Sequence, residues 1–493
     1  MYESMVDIRA SLRRLFTRGL VVAFSRASIS FAGCNADFDN KGASKYKGKV
    51  CLLGNPGALP GGSPDHPLFR DAQRWKCVTF GPTFGASVDT KGRVYIWGKG
   101  KDDTFVLPFQ IPCNAIVDCH CSSKDLYMLG ADSQVYILHN VERYLHDRSP
   151  RSTSNDTIVG SASSDINKNP STKLHNEESN VYLGLMPGLG NKKVVKMSVG
   201  NRHAAFLTDD GELYCTGDNT FGQCGTKPNT LKSNTIMTFD RGGNDMTEHI
   251  KLHKVEFNNA ATNVVDVVCG GRHTCCIDSE GNIYTFGDDS SVQLFLGDTR
   301  GRTILEQDRY KPYIKHDDYG ASNYAKYSHT DRHLQYNPIP VNAVGRLSEH
   351  HKLLEGATLS LAAGDDFTIV AVTTTTQRER KTHIIASGGN HLGQCGRLDV
   401  RMNLPKSIHL PGSIIRGTIG CGSSHCIAAM EGGYLIGWGS NQQKQLDPAR
   451  KGNLTVPTNI NHGITSNTVE NLNRHCNIEF IRCAFNNTAI IFK

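Results

Sequence analysis

The stretch Val199-Gly200-Asn201-Arg202-His203, followed by Tyr214-Cys215-Thr216-Gly217, decides the fold of this chain. Between the two parts lies Asp210-Gly211, a dipeptide that is a strong signal for a tight hairpin turn. The stretch therefore predicts one strand, a turn and a second, antiparallel strand. Its first and last glycines are 17 positions apart.

The same hairpin recurs along the chain. Two further copies are degraded: Ser122 and His139 replace the glycines in one, and the polar stretch 373–381 lengthens the other, between Gly364 and Gly388. Several copies at one interval indicate a repeat architecture. Four copies keep the separation of 17 positions: Gly81 and Gly98, Gly200 and Gly217, Gly270 and Gly287, and Gly422 and Gly439.

Each end of the chain carries half of the hairpin. Val50-Cys51-Leu52-Leu53-Gly54 matches the second part of the pattern, Leu213 to Gly217, and Cys483-Ala484-Phe485-Asn486-Asn487 matches its first part, Val199 to His203. We therefore predict an all-β ring of blades, closed by pairing of the N-terminal and C-terminal strands. Closure removes the exposed sheet edges that would otherwise favour aggregation. The residues expected at this closure are Val50, Leu52, Gly54, Phe480 and Ile490.

Three copies of the hairpin continue into a short loop, which ends in glycine in two of them and in leucine in the third. These loops are Asn219 to Gly225, Asn390 to Gly396 and, in a degraded form, Asn441 to Leu446. Glycine permits positive φ where the chain leaves one blade for the next. Long polar insertions separate the copies, at about 141–190, 227–258 and 299–354, and we expect them to be surface loops.

The first 31 residues have the composition of a mitochondrial presequence. Arg9, Arg13, Arg14 and Arg18 fall on one side of a helix with apolar residues opposite, and no acidic residue lies between Asp7 and Asp37. A disordered or membrane-surface tail is the alternative. We therefore divide the chain into a presequence (1–31), a linker (32–47) and a propeller (48–493).

Composition narrows the function classes. The net charge is +7 with scattered Lys and Arg, which permits nucleic-acid binding but does not indicate it. No run reaches the ~18 apolar residues of a membrane helix. The 16 cysteines mostly occupy small buried positions of the repeat, so we expect reduced thiols rather than disulfides.

Neither a metal site nor a cofactor is expected. Cys119-His120-Cys121 with Cys113 lacks the paired spacings of structural zinc sites. We expect the histidines of the 299–354 insertion to be solvated loop residues. His203, His273 and His425 recur at one repeat position and are expected to hold neighbouring strands or blades together. The same position holds Phe84, Asp125, Phe367 and Asn487, which excludes a ring of catalytic histidines.

Several of these repeated motifs resemble those of a known protein family. Val267 to Thr274, Trp97-Gly98, Trp438 to Asn441 and Gly222-Gln223-Cys224-Gly225 are similar to the regulator of chromosome condensation repeat, over roughly residues 48–493. The resemblance implies a seven-bladed β-propeller, in agreement with six internal hairpins and one split blade. Gly57-Ala58-Leu59 and the basic presequence are most similar to the mitochondrial branch of that family.

The sequence and its resemblance to this family together predict a function without catalytic chemistry. No nucleophile–base motif or phosphate-cradling loop is present in the sequence, so we do not expect an enzyme. We expect a monomeric ring, in the mitochondrial matrix or at the inner membrane, that binds proteins. Partners implied by the resemblance are mitoribosome proteins or ribosomal RNA, in support of ribosome or respiratory-complex assembly. The alternative is guanine-nucleotide exchange on a small or dynamin-like GTPase.

Overall fold

The computed structural model describes most of the predicted propeller, and the predictions for 1–31 and 32–47 lie outside the described residues. The described residues are 49–70, 75–113, 115–147, 181–227, 234–239, 245–250, 252–296, 334–341, 347, 350–376, 379–399, 405–461 and 478–492.

The described chain starts with a strand, β1 (Lys49–Gly54), and a compact turn region. Two 3₁₀ turns follow, at Pro56–Ala58 and Pro60–Gly62, and then the short helix α1 (Pro67–Arg70). The side chain of Asn55 accepts a hydrogen bond from the Gly57 N–H at 3.0 Å, which caps the first turn.

The first two blades are four-stranded antiparallel sheets. Blade 1 comprises β2 (Trp75–Phe80), β3 (Phe84–Asp89), β4 (Val94–Lys99) and β5 (Phe105–Gln110), with a 3₁₀ turn at Lys101–Asp103. Blade 2 comprises β6 (Ile116–Cys121), β7 (Leu126–Gly130), β8 (Val135–His139) and β9 (Tyr182–Leu185), with helix α2 (Val141–His146) before β9.

Blades 3 and 4 follow the same plan. Blade 3 comprises β10 (Val194–Val199), β11 (His203–Thr208), β12 (Leu213–Gly217) and β15 (Leu252–Lys254). A separate two-stranded hairpin, β13 (Asn234–Phe239) and β14 (Asp245–Ile250), precedes β15. Blade 4 comprises β16 (Val264–Cys269), β17 (His273–Asp278), β18 (Ile283–Asp288) and β19 (Leu334–Pro340).

Helix α3 (His351–Leu354) leads to the last blades. Blade 5 comprises β20 (Thr358–Ala363), β21 (Phe367–Thr375), β22 (Arg380–Gly388) and β23 (Lys406–His409). Blade 6 comprises β24 (Ile414–Cys421), β25 (His425–Met430), β26 (Tyr434–Gly439) and β27 (Leu454–Asn459). The chain then forms β28 (Ile478–Ala484) and β29 (Asn487–Phe492).

Blade 7 combines strands from both ends of the described chain. Its sheet order is β1-β29-β28, so β1 takes the position that the third strand has in the other blades. Gly54 pairs with Asn487 in the register by which Gly217 pairs with His203 in blade 3. Of the residues named for closure, Val50 pairs with Ile491, as does Phe480 from the other side.

The first strands of the seven blades form a continuous ring. Each contacts the first strand of the next blade, and β28 contacts β2 to complete the circle. The described residues form seven buried hydrophobic clusters, one between each pair of neighbouring blades. The cluster between blades 7 and 1 contains Leu52, Ile491, Trp75 and Trp97. Because each sheet buries both faces, the seven-bladed propeller has its core between blades rather than at its centre.

The structure differs from the sequence prediction within the polar insertions. The ranges 141–190, 227–258 and 299–354 contain the outer strands β9, β15 and β19, and the first also contains α2. Each of these strands is the edge strand of its sheet, and no repeated motif marks its position in the sequence. Among the described helices, none is long and apolar enough to cross a membrane.

The prediction of reduced cysteines is wrong for one pair. Cys421 and Cys426 form a disulfide, because the pairing of β24 with β25 places them directly opposite each other. Twelve other cysteines are buried free thiols, as expected. The described residues hold no group of three or more His, Cys, Asp or Glu side chains that could bind a metal ion.

Candidate functional site

The repeated glycine before each histidine position is required by close packing. A Cβ on Gly270 would lie 2.1 Å from Cε1 of His273 and 2.6 Å from the Gly364 carbonyl oxygen of the next blade. Real Cβ atoms do not approach this closely, so only glycine fits beneath the imidazole. Gly81, Gly200, Gly364 and Gly422 meet the ring of Phe84, His203, Phe367 or His425 in the same way.

The exceptions follow the same geometry. The position three residues after this glycine, which holds a histidine or phenylalanine ring in the other blades, is here called the ring position. Where blade 2 replaces the glycine by Ser122, the ring position holds Asp125, and where blade 7 has Ala484, it holds Asn487. Ser122 Oγ accepts from the Asp125 N–H at 2.8 Å. A side chain at the glycine position therefore occurs only where no ring lies above it.

The closing glycines are also required by the backbone. They have φ between 98° and 157°, and a Cβ on any of them would meet the backbone of the ring position or of the residue before it: Gly98, Gly217, Gly287, Gly388 and Gly439.

The three repeated histidines join neighbouring blades. His203 Nε2 lies 2.9 Å from Thr274 Oγ1, His273 Nε2 lies 2.8 Å from Thr368 Oγ1, and His425 Nε2 lies 3.0 Å from Thr488 Oγ1. In each pair the threonine directly follows the ring position of the next blade. All six side chains are 0% exposed, so these contacts lie inside the interfaces.

The bridge is present only where both residues occur. Phe84 of blade 1 is followed in blade 2 by Leu126, and Phe367 of blade 5 is followed in blade 6 by Cys426. A phenyl ring needs no hydrogen-bonding partner, so an apolar residue suffices there. The threonines are functional residues of the fold that sequence reasoning missed. The sequence did carry a signal for them. A threonine follows the ring position of a blade only where the preceding blade has histidine at its own ring position.

Burial removes these side chains from acid–base chemistry. It lowers the pKa of His203 to about 4, and those of His273 and His425 to about 3. Burial also raises the pKa of the Cys275, Cys395 and Cys483 thiols to about 12. Neutral imidazoles and protonated thiols without solvent access act as structural groups.

One face of the ring, here called the loop face, is defined by two connections in each of the four-stranded blades 1 to 6 and by the first connection of blade 7. In an antiparallel sheet, the connection from first to second strand lies at the same edge as that from third to fourth. Backbone hydrogen bonds link the first connections of neighbouring blades along this face. The Ser123 N–H donates to the Asn201 carbonyl at 2.7 Å, the Asp365 N–H to Ser423 at 3.0 Å, and the Ser423 N–H to Phe485 at 2.7 Å.

The third-to-fourth connections share one loop geometry in four blades. In the predicted loops, Asn219, Asn390 and Asn441 accept from the backbone N–H five residues later, at 2.8–3.1 Å. Blade 4 forms the same loop with Asp289, whose carboxylate accepts from the Leu294 N–H at 2.7 Å. A buried glutamine follows in each loop and accepts from the N–H two residues earlier: Gln223, Gln293, Gln394 and Gln445.

The blade 4 loop escaped sequence analysis because it lacks the glycines. Val292 and Phe295 occupy the positions of Gly222 and Gly225 and adopt φ of 68° and 61°. Such values are unusual for a β-branched or bulky residue. The remaining signal was the glutamine, which lies 70 positions after Gln223.

Arg272 has a fixed position on the loop face. Its guanidinium lies 2.9 Å from Asp288 Oδ2, and its Cζ lies 4.5 Å from the centre of the Phe221 ring. The Asp288 side chain is 2% exposed, whereas that of Arg272 is 49% exposed. A buried carboxylate and a neighbouring blade's ring therefore hold this cation at the surface.

A second set of charges joins the first strands. Arg482 of blade 7 bonds to Asp118 of blade 2 at 3.0 Å, and Asp118 lies 3.2 Å from His120 Nε2. Burial alone would raise the pKa of Asp118, but Arg482 and His120 outweigh it and lower that pKa. Lys196 and Asp266 form another ion pair, between the neighbouring blades 3 and 4. These contacts, which the sequence did not predict, link blades across the ring.

Comparison with known proteins identifies the repeat. The regulator of chromosome condensation (RCC1) repeat matches residues 194–223, 264–293 and 418–445, and a second description of it matches 210–277. The Regulator of chromosome condensation of Xenopus laevis is 31% identical over 114 residues, which cover 22% of this chain and 25% of that protein. The match to this curated relative is therefore confined to about a quarter of its length.

Solved structures match the whole ring. Prp20p from Saccharomyces cerevisiae superposes with a TM-score of 0.56 at 13% identity, covering 91% of this chain and 92% of that chain. Human WBSCR16 superposes with a TM-score of 0.55 at 17% identity, covering 90% and 98%. At these identities the likeness concerns the fold. The chain is therefore a seven-bladed β-propeller that contains regulator of chromosome condensation repeats within residues 194–293 and 418–445.

Proposed function

We propose that the chain is a non-catalytic propeller that binds a protein partner through the loop face of blades 2, 3 and 4. The position of the insertions carries this proposal. Segments 148–180, 228–251 and 297–333 each connect the third strand of a blade to its fourth, in three consecutive blades. All three therefore start and end at one sector of the loop face. Long non-repeat connections on a rigid scaffold are where binding specificity usually resides.

The described parts of these connections include a hairpin and a helix. The hairpin β13–β14 belongs to the blade 3 connection, and helix α2 begins the blade 2 connection. Thr83 of blade 1 donates a hydrogen bond to Glu142 of α2 at 2.5 Å, so this helix is held across the neighbouring blade. Arg272 and Phe221 lie in the same sector. A sector that combines an immobilised arginine with an aromatic ring is suited to a protein surface.

We further propose that the chain works in mitochondria, as a scaffold for ribosome or respiratory-complex assembly. The amphipathic, acid-poor composition of 1–31 supports this location. Fused to a fluorescent reporter, residues 1–35 are expected to direct import. Changing Arg9, Arg13, Arg14 and Arg18 to Glu is expected to abolish that import. A wild-type fusion that stays cytosolic or enters the nucleus would contradict this location.

Guanine-nucleotide exchange is the second candidate, favoured by the β13–β14 hairpin. The resemblance to the repeat family implies exchange by an element inserted from one propeller face, and this hairpin belongs to a connection that begins and ends at the loop face. Prp20p, which shares the fold, binds Gsp1p and histones. Both candidates therefore require a protein partner at the same face and differ in what the hairpin does there.

The deciding experiment replaces residues 228–251 by a short Gly-Ser linker. We expect an unchanged fold, since loop length costs little, and loss of partner capture from a mitochondrial extract. A matched control shortens the turn at 375–380, which lies on the opposite face, and should leave capture intact. Equal capture by both variants would contradict the proposal. Accelerated nucleotide release from a mitochondrial GTPase, lost only with the hairpin, would establish exchange instead.

A further inference from the structure

Blade 6 contains a covalent link within its own sheet. Cys421 ends β24, Cys426 is the second residue of β25, and their disulfide joins Cα atoms 4.2 Å apart. The other described cysteines with an assigned state are buried thiols. This pair is therefore chemically distinct from the rest of the described chain.

The link occupies a place that is a weak polar contact in other blades. Cys269 Sγ lies 4.0 Å from Thr274 Oγ1 in blade 4, and Cys483 Sγ lies 3.5 Å from Thr488 Oγ1 in blade 7. Blade 6 keeps the cysteine and has Cys426 in the threonine position. The preceding blade has Phe367 rather than a histidine, so no interblade hydrogen bond requires a threonine there. The position is thus free to carry a second sulfur.

The disulfide encloses a connection that ties three blades together. Between the two cysteines lie His425, the first residue of β25, and Gly422, Ser423 and Ser424, which form the first connection of blade 6 on the loop face. The Ser423 carbonyl accepts from the Asp365 N–H of blade 5 at 3.0 Å, and the Ser423 N–H donates to Phe485 of blade 7 at 2.7 Å. A bond that closes the ring 421–426 restricts this connection directly.

The two sulfur-bearing residues differ in access. Cys426 is 0% exposed, whereas Cys421 is half-buried at the edge of the connection. Cys421 is therefore the more accessible of the two cysteines, and we expect an incoming thiolate to attack its sulfur. We propose that the Cys421–Cys426 disulfide is a reversible redox link, reduced by a dithiol, that sets the rigidity of the blade 6 connection on the loop face.

The exchange balances with a dithiol as the named reductant. One thiolate of the reductant attacks Cys421 Sγ, which forms a mixed disulfide and releases the Cys426 sulfur as a thiolate. The Cys426 thiolate takes up a proton. The second thiol of the reductant then attacks the reductant's other sulfur, the one bonded to Cys421 Sγ. This step closes the reductant's own disulfide and releases the Cys421 thiol. The protein gains two electrons and two protons, and the reductant becomes a disulfide.

Hydrogen–deuterium exchange on the full chain tests the inference. Protein purified without reductant is compared with protein treated with dithiothreitol and then alkylated under native conditions at Cys421. We expect amide exchange of 422–424 and of Asp365 to accelerate roughly tenfold or more on reduction, the scale given by the closure entropy of so short a ring. Distant strands such as β11 should exchange at unchanged rates.

The control variant is Cys426→Thr, which places in blade 6 the residue found at this position in blades 4, 5 and 7. It should fold, exchange as reduced wild type does, and show no response to dithiothreitol. Cys269→Ser, which alters a cysteine outside the link, should respond as wild type does. The inference is overturned if both cysteines of the protein purified without reductant label as free thiols, or if reduction leaves exchange of 422–424 unchanged. Because exchange is measured on the isolated chain, this result is independent of the proposed partner.

Discussion

His203 Nε2 and Thr274 Oγ1 lie 2.9 Å apart across the interface between blades 3 and 4, and both side chains are completely buried. The Thr274 hydroxyl donates its own proton to the Gln223 carbonyl at 2.8 Å. It can therefore accept only from an imidazole that carries its proton on Nε2. One threonine thus links the histidine position of one blade to the exit loop of the same blade, and three such histidines connect blades 3, 4 and 5 and blades 6 and 7.

Thr274→Val tests this linkage. The substitution keeps the shape but leaves the His203 N–H and the Gln223 carbonyl without their partner. We expect the free energy of unfolding to fall by about 1–3 kcal/mol, measured by chemical denaturation. Thr216→Val is the matched control, because Thr216 Oγ1 is buried and makes no hydrogen bond to the described residues. An equal loss in both variants would show that the bridge contributes nothing.

Gly270→Ala tests the packing beneath the imidazole. The new methyl group would collide with His273 and the Gly364 carbonyl, so we expect a loss of at least about 3 kcal/mol or failure to fold. Ala484→Gly makes the reverse change in blade 7, where Asn487 replaces the ring, and should cost less than about 1 kcal/mol. Thermal melts that show similar stability for Gly270→Ala and wild type would refute the steric account.

The buried histidines predict acid sensitivity. Their pKa values are lower in the folded chain than the ordinary 6.5, so the unfolded chain binds more protons as the pH falls. Stability is therefore complete above about pH 6.5 and decreases towards pH 4, by on the order of 1 kcal/mol per pH unit for each histidine. His425→Asn, which introduces the residue of blade 7, should lower stability at pH 7 and reduce this slope. Parallel pH profiles of variant and wild type would contradict the assignment.

Two truncations test the contribution of β1. Deleting residues 1–60 removes Lys49–Gly54, which supplies the third strand of blade 7 and covers part of the cluster with Trp75 and Trp97. We expect a large fall in melting temperature. Deleting residues 1–30 should leave the melting temperature unchanged. Equal stability of the two truncations would show that the ring does not need this strand.

Sequence reasoning found the parts of the fold that carry a repeated chemical signature. The 17-residue interval identified the inner hairpins because glycine is sterically required at Gly270 and at equivalent positions. The outer strands β9, β15 and β19 carry no such signature, so the sequence analysis assigned them to the polar insertions that surround them. The blade 4 loop was missed because Val292 and Phe295 adopt backbone angles that usually require glycine. The disulfide was missed because Cys421 occupies the position of cysteines that are reduced in other blades.

The candidate surface was only partly accessible to sequence reasoning. The three insertions were recognised as non-repeat segments, but their common location depends on which strands they connect. That required β9, β15 and β19 to be recognised as fourth strands. The partner-binding sector of blades 2 to 4 thus follows from topology rather than from any motif.

The most direct test of the proposed binding face is a hydrogen-exchange footprint of the full chain bound to the partner that it captures from mitochondria. The account predicts slower exchange at α2, at the connections 218–227 and 288–296, and in the β13–β14 hairpin. It predicts unchanged exchange at the turns 208–212 and 278–282 of blades 3 and 4, which lie on the opposite face. Protection of those turns, with free exchange in the hairpin and the connections, would contradict it.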